Sequence, residues 1–148
     1  MKYSQLIAQM TLEEKVGLCS GKDLWRTKPI ERLGVPSVMV ADGPNGVRAQ
    51  HGKDTRVNVS ERATCFPTSA TVACSWDKGL AEEVGAAIGA EALKEDVQTV
   101  LGPGVNIKRS PLCGRNFEYY SEDPVLAGEM GAAFIRGVQS NGVGACVK

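Results

Sequence analysis

Three places in this 148-residue sequence join a short apolar run to a polar tip able to hold a ligand. The first is Val38-Met39-Val40-Ala41 running into Asp42-Gly43-Pro44-Asn45-Gly46-Val47-Arg48. The second, residues 102–124, reads GPGVNIKRSPLCGRNFEYYSEDP and is dense in arginine, asparagine, aromatic and acidic groups. The third is Val143-Gly144-Ala145-Cys146-Val147-Lys148. Long polar loops at strand ends are where an α/β protein presents groups to a ligand. An ionised carboxylate such as Asp42 accepts from two adjacent hydroxyls, and cations such as Arg115 and Lys148 donate charge-assisted bonds to others. That combination suits the hydroxyl fan of a sugar ring.

Each group also has an inert reading. Asp42 before Gly43 forms turns readily, Arg115 can pair with Glu118 or Glu122 as loop scaffolding, and a terminal Lys148 is normally frayed and solvated. Glu118, Glu122 and Asp123 look like material for a catalytic carboxylate pair. Asp123 before Pro124, however, is most simply a helix N-cap, and Glu118 a salt-bridge partner for Arg109 or Arg115. Of the two tryptophans, Trp25 in a polar loop is a candidate for the site entrance, and Trp76 reads as core. Cys113 as a nucleophile lacks a nearby base, since the single histidine, His51, lies far off in a polar loop.

The elements that must position these tips follow from periodicity and capping signals. Residues 4–10 read as a short helix. Thr11-Leu12-Glu13-Glu14 is a capping box opening another, with Val16, Leu18 and Cys19 as its apolar face and Gly21 as its end. Residues 29–36 form a turn-rich approach to a strand at 37–41. Residues 50–63 are polar and aperiodic, a surface excursion, and Phe66-Pro67-Thr68-Ser69 begins a short second strand or extended piece. Asp77 caps a long helix with Leu80, Val84, Ile88 and Ala92 on one stripe, thinned by Gly85, Ala86, Gly89 and Ala90 for close packing on a sheet. Thr99-Val100-Leu101 is a strand entering the Gly102-Pro103-Gly104 turn. Asp123-Pro124 starts a helix with Leu126, Met130, Phe134 and Val138 buried, and Asn141-Gly142 leads into the last strand. Helices alternating with strands predict an α/β fold with a parallel sheet, either a (β/α) barrel or an open doubly wound sheet. No G-x-G-x-x-G runs directly into a helix, which disfavours a dinucleotide.

Bulk properties narrow the classes. Basic and acidic residues balance at 17 each, which gives no electrostatic reason to expect nucleic acid or an anionic membrane as partner. No apolar run approaches the roughly 18 residues of a spanning helix, and the start lacks a signal peptide's apolar core, so a cytoplasmic location is expected. Five irregularly spaced cysteines form no zinc or redox pair and read as buried or half-buried thiols in a reducing compartment. No metal and no cofactor is expected.

With these motifs in view, the whole chain resembles the amino-terminal part of the family 3 glycoside hydrolases, in the β-glucosidase branch. The segments that carry the likeness are residues 10–16 (MTLEEKV), 40–48 (VADGPNGVR), 66–68 (FPT) and, most specifically, 102–124. Within the last, Lys108-Arg109-Ser110-Pro111-Leu112-Cys113-Gly114-Arg115-Asn116 is similar to the glucosidase form rather than to the xylosidase or N-acetylglucosaminidase forms. The resemblance implies a TIM-type (β/α) barrel, of which about the first half is present, since a barrel typically needs about 250 residues. It implies retaining hydrolysis of terminal non-reducing β-D-glucosyl residues, with a β-glucoside or cello-oligosaccharide as substrate. It also implies that Asp42, Arg48, Arg115 and Lys148 bind the sugar, while the aspartate nucleophile and glutamic acid/base lie beyond Lys148. The expectation is therefore a fragment, inactive alone and prone to self-association through exposed sheet edges. A non-catalytic sugar-binding module and a complete small enzyme using Glu118 or Asp123 are the alternatives.

Overall fold

The computed structural model describes residues 2–51 and 59–148, in two units, Met1–Val40 and Ala41–Lys148. In the first unit, Thr11 separates α1 (Ser4–Ala8) from α2 (Leu12–Ser20). Thr11 Oγ1 accepts from Glu14 N at 3.2 Å and the Glu14 carboxylate accepts from Thr11 N at 2.8 Å, so the expected capping box is formed. Gly21, at φ 71°, ends α2 as anticipated. The expected apolar face is not a core face, for α2 buries no residue and Val16 is exposed. Val16 and Leu18 are two positions apart, about 200° around a helix of 3.6 residues per turn, so they cannot share one face.

Arg32 grips the same Glu14 carboxylate through Nε at 2.7 Å and Nη2 at 2.6 Å. That fork, helped by the Thr11 amide, holds the Glu14 carboxyl down at about 2. Beyond α2 the chain runs back on itself, with Thr27 N donating to Val38 O at 3.0 Å and Val40 N to Trp25 O at 2.8 Å. Gly34, left-handed at φ 67°, closes the turn between the two arms.

β1 is Val40–Asp42 rather than residues 37–41, and Val38 pairs instead with Thr27, its N donating to Thr27 Oγ1 at 2.8 Å. Ala41 and Asp42 belong to the second unit, whose sheet has the order β1-β2-β3, with β2 at Thr99–Leu101 and β3 at Gly144–Ala145. β2 and β3 are parallel, Thr99 facing Gly144 and Val100 facing Ala145. No strand forms at Phe66-Pro67-Thr68-Ser69. Thr68 is extended and caps α3 (Ser69–Ala73) instead, its hydroxyl accepting from Thr71 N. Of the polar excursion at 50–63, residues 52–58 lie outside the described residues, and Gln50 is buried.

Asp77 caps α4 (Lys78–Lys94), accepting from Gly79 N at 2.8 Å and Leu80 N at 3.2 Å. Asp123 caps α5 (Pro124–Gln139) with proline at the first position, as expected. Ile88, Ala92, Met130, Phe134 and Val138 are all essentially buried, and each large apolar side chain so placed contributes about 1.5–3 kcal/mol. The thin face of α4 packs on α5 and not on the sheet. A Cβ on Gly85 would collide with the Phe134 carbonyl oxygen, and one on Gly137 with that of Glu82. Two further expectations fail. Trp76 sits at φ 58° in the turn between α3 and α4, which leaves its ring 74% exposed rather than in the core. All five cysteines are free and exposed rather than buried. No helix among the described residues is long and apolar enough to cross a membrane.

Candidate functional site

The ends of β1 and β2 are brought together by close backbone contact. A Cβ on Gly102 would lie 3.1 Å from Pro44 Cα, so this position after β2 takes the residue without a side chain. The turn after Asp42 is closed by Arg48 N donating to Asp42 O at 2.8 Å. It is anchored outward by Asn45, whose Oδ1 accepts from Ser69 N at 3.0 Å and Ser69 Oγ at 3.1 Å. Tyr120 hydrogen-bonds the same serine, while burial pushes its phenol well above the ordinary range and keeps it neutral. Lys148 is not frayed. Its N donates to Pro103 O at 3.0 Å and its O accepts from Val105 N at 2.8 Å, so its position after β3 is fixed by two backbone bonds.

The four sugar-binding candidates named from the sequence meet at one place. Lys148 Nζ donates to Asp42 Oδ1 at 2.8 Å, and Arg48 Nη1 lies 3.6 Å from Asp42 Oδ2. Lys148 Nζ also lies 3.2 Å from Glu118 Oε2, and Arg115 Nε donates to Glu118 Oε1. Arg115 additionally stands over the Tyr119 ring, 6.0 Å from its centroid. Burial works against the Lys148 charge, but the bond to Asp42 and the nearby Glu118 outweigh it and raise its pKa. The hydrogen bond to Glu118 raises that of Arg115. These groups line an open cavity of about 530 Å³ with the 43–48 turn on one side and Ser60, Ala63, Thr64 and Cys65 on another. That volume exceeds what a single sugar needs and lies within the range of small-molecule sites.

Glu118 is the residue that sequence reasoning placed as scaffolding and that the structure puts at the centre. Its side chain is 6% exposed and bridges Arg115 and Lys148, which are far apart in sequence. The Arg115 half of that bridge was legible as an i, i+3 pair; the Lys148 half depends on the fold. The other candidates fall elsewhere: Asp123 caps α5, His51 faces Glu95 at 3.6 Å, and Cys113 is exposed beside the Ser110 turn.

The strand ends of this α/β scaffold thus converge carboxylates and cations on one open cavity, a combination of charged donors and acceptors able to hold a small polar ligand. Comparison with known proteins specifies the family. The glycosyl hydrolase family 3 N-terminal domain model matches residues 6–148, and the chain belongs to that family. It is 62% identical over 146 residues to the thermostable β-glucosidase B of Acetivibrio thermocellus, covering 97% of this chain and 19% of that protein. It is 48% identical over 145 residues to an exo-α-(1→6)-L-arabinopyranosidase of Bifidobacterium longum, with 96% and 19% covered. β-Glucosidase 3B from Thermotoga neapolitana, solved in complex with α-D-glucose, superposes with a TM-score of 0.89 at 44% identity, covering 100% of this chain and 23% of that one. The chain thus spans about a fifth of the length of these relatives. The fold class is α/β, the amino-terminal part of a (β/α) barrel.

Proposed function

We propose that this chain supplies the sugar-gripping side of a retaining β-glucosidase that releases terminal non-reducing β-D-glucosyl residues. Asp42 accepts from two adjacent sugar hydroxyls, and Lys148, Arg115 and Arg48 donate to the oxygens of neighbouring hydroxyls. Glu118 holds Arg115 and Lys148 in place. The sugar enters by exchanging its hydroxyls for part of the ion-pair network, and the charged groups need little rearrangement to receive it. Residues outside these 148 supply the chemistry: an aspartate attacks the anomeric carbon while a glutamic acid protonates the departing oxygen. The same glutamate, now a base, then activates water to break the glycosyl-enzyme bond. The observation that carries the reading is the 2.8 Å contact between Lys148 and Asp42, which joins tips 106 residues apart in one cavity. The β-glucosidase names of relatives, and the glucose in a similar structure, support the choice of sugar. Five exposed, unpaired thiols suit a reducing, cytoplasmic setting.

One observation favours a second reading. Asp42 and Glu118 both contact a single ammonium, at 2.8 and 3.2 Å, so their carboxylates approach the roughly 5 Å separation of a retaining pair. A complete small enzyme would use them as nucleophile and acid/base. Against it, the Lys148 ammonium occupies the gap in which the anomeric centre would have to sit. The test is hydrolysis of an aryl β-glucoside by the purified 148-residue chain, together with glucose binding. Binding without turnover supports the first reading. Turnover that Glu118→Gln abolishes would establish the second, and absence of glucose binding would defeat both.

A further inference from the structure

Glu91 lies in the last turn of α4, outside the charged network, where a carboxylate faces the negative end of the helix dipole and gains nothing for the helix. Both its oxygens are nevertheless engaged by one distant residue. Glu91 Oε2 accepts from Thr64 N at 3.2 Å, and Glu91 Oε1 accepts from Thr64 Oγ1. Thr64 in turn lines the candidate cavity between Ala63 and Cys65. Its carbonyl oxygen presses against Gly46 so closely that any Cβ there would collide with it. Two residues on, Phe66 N donates to Asn45 O at 3.0 Å. The 63–66 segment is therefore laid along the 45–46 turn, the same turn that Asp42 and Arg48 close by their backbone bond.

We infer that Glu91 is a positioning residue: by clamping Thr64 it fixes the cavity wall and holds the turn that carries Asp42 and Arg48. This rests on the sugar-binding reading for its consequence, though not for its geometry. Loss of the carboxylate frees a backbone donor and a hydroxyl at once, and the 63–66 wall is then held to the turn by the Phe66–Asn45 bond. A glutamine serves almost as well, because its carbonyl accepts from Thr64 N and its amide donates to the threonine oxygen.

The test compares Glu91→Ala and Glu91→Gln by amide hydrogen exchange and by glucose titration of the 148-residue protein. Glu91→Ala is expected to speed exchange at the Thr64 amide about tenfold and to weaken glucose about fivefold, as loss of about one net hydrogen bond implies. Exchange at Ile88 and Ala92 in α4 should stay at the parent rate, and Glu91→Gln should stay within about twofold in both measurements. Parent-like Thr64 exchange in Glu91→Ala, or damage by Glu91→Gln equal to that by alanine, overturns the inference. Should the parent protein bind no glucose, the sugar reading falls, and the exchange measurement still decides whether the clamp exists.

Discussion

Glu118→Gln is the most informative single substitution, since it keeps the shape of the bridging side chain and removes its charge. At 3.2 Å the attraction between Lys148 and Glu118 is about 5 kcal/mol at an effective dielectric near 20, and about 1 kcal/mol in bulk water. Lys148 is 27% exposed and retains Asp42 at 2.8 Å, so the freed ammonium is neither buried nor alone. The penalty therefore falls well below that of a fully buried pair, at about 1–2 kcal/mol. For a chain of this size that lowers Tm by about 3–6 °C. The sign with pH follows from Lys148, whose folded pKa is raised above its ordinary 10.5. Its contribution is complete below that value and is lost as pH rises through the folded pKa. The gap between parent and variant should thus be full at neutral pH and narrow in strong alkali. Thermal melts at several pH values, with an NMR titration of the Lys148 side chain, supply the assay. A variant that melts with the parent and leaves the Lys148 titration unmoved would refute the assignment of Glu118 as the bridge.

Other outcomes follow from the same structure. Asp42→Asn should weaken glucose binding by about tenfold or more, because a charge-assisted acceptor is lost; calorimetric titration giving the parent affinity would count against its role. Gly85→Ala should destabilise the second unit by about 2–3 kcal/mol by forcing α4 off α5, and a denaturant midpoint equal to the parent's would refute that packing. The Glu14 carboxyl should titrate with a midpoint at about 2. Because that pKa is depressed, its support for the start of α2 is present above the ordinary 4.5 and is lost as pH falls toward 2. A carboxyl-carbon midpoint near 4 would contradict the Arg32 fork.

The parts of the fold that announced themselves in the sequence are those set by local chemistry. Thr11, Asp77 and Asp123 cap the helices they were expected to cap, because each satisfies backbone donors within three residues. β2 falls on Thr99–Leu101 for the same reason, an apolar run stopped by Gly102-Pro103. What failed depended on remote partners. Gly85 and Gly89 announce a thin helix face but not whether a sheet or another helix fills it. Trp76 carries a core-like side chain, yet a left-handed backbone in an interhelical turn directs it to solvent. The site shows the same division. Asp42, Arg115 and Lys148 were legible as polar tips beyond strand ends, and family likeness added Arg48. Glu118 was legible as a partner of Arg115, and that pair forms; its bridge to Lys148 was not, because that partner is 30 residues away and the Gly104 position that lets the Glu118 backbone approach carries no chemical signal of its own.

The central claim is that tips from three strand ends grip one pyranose. Titration of the isotopically labelled protein with β-D-glucose, followed at Arg48, Arg115 and Lys148, tests it most directly. The account predicts that these signals move together along a single saturating curve, and that Asp42→Asn removes the response at all three. Signals that stay still at saturating sugar, or that follow separate curves unaffected by Asp42→Asn, would contradict it.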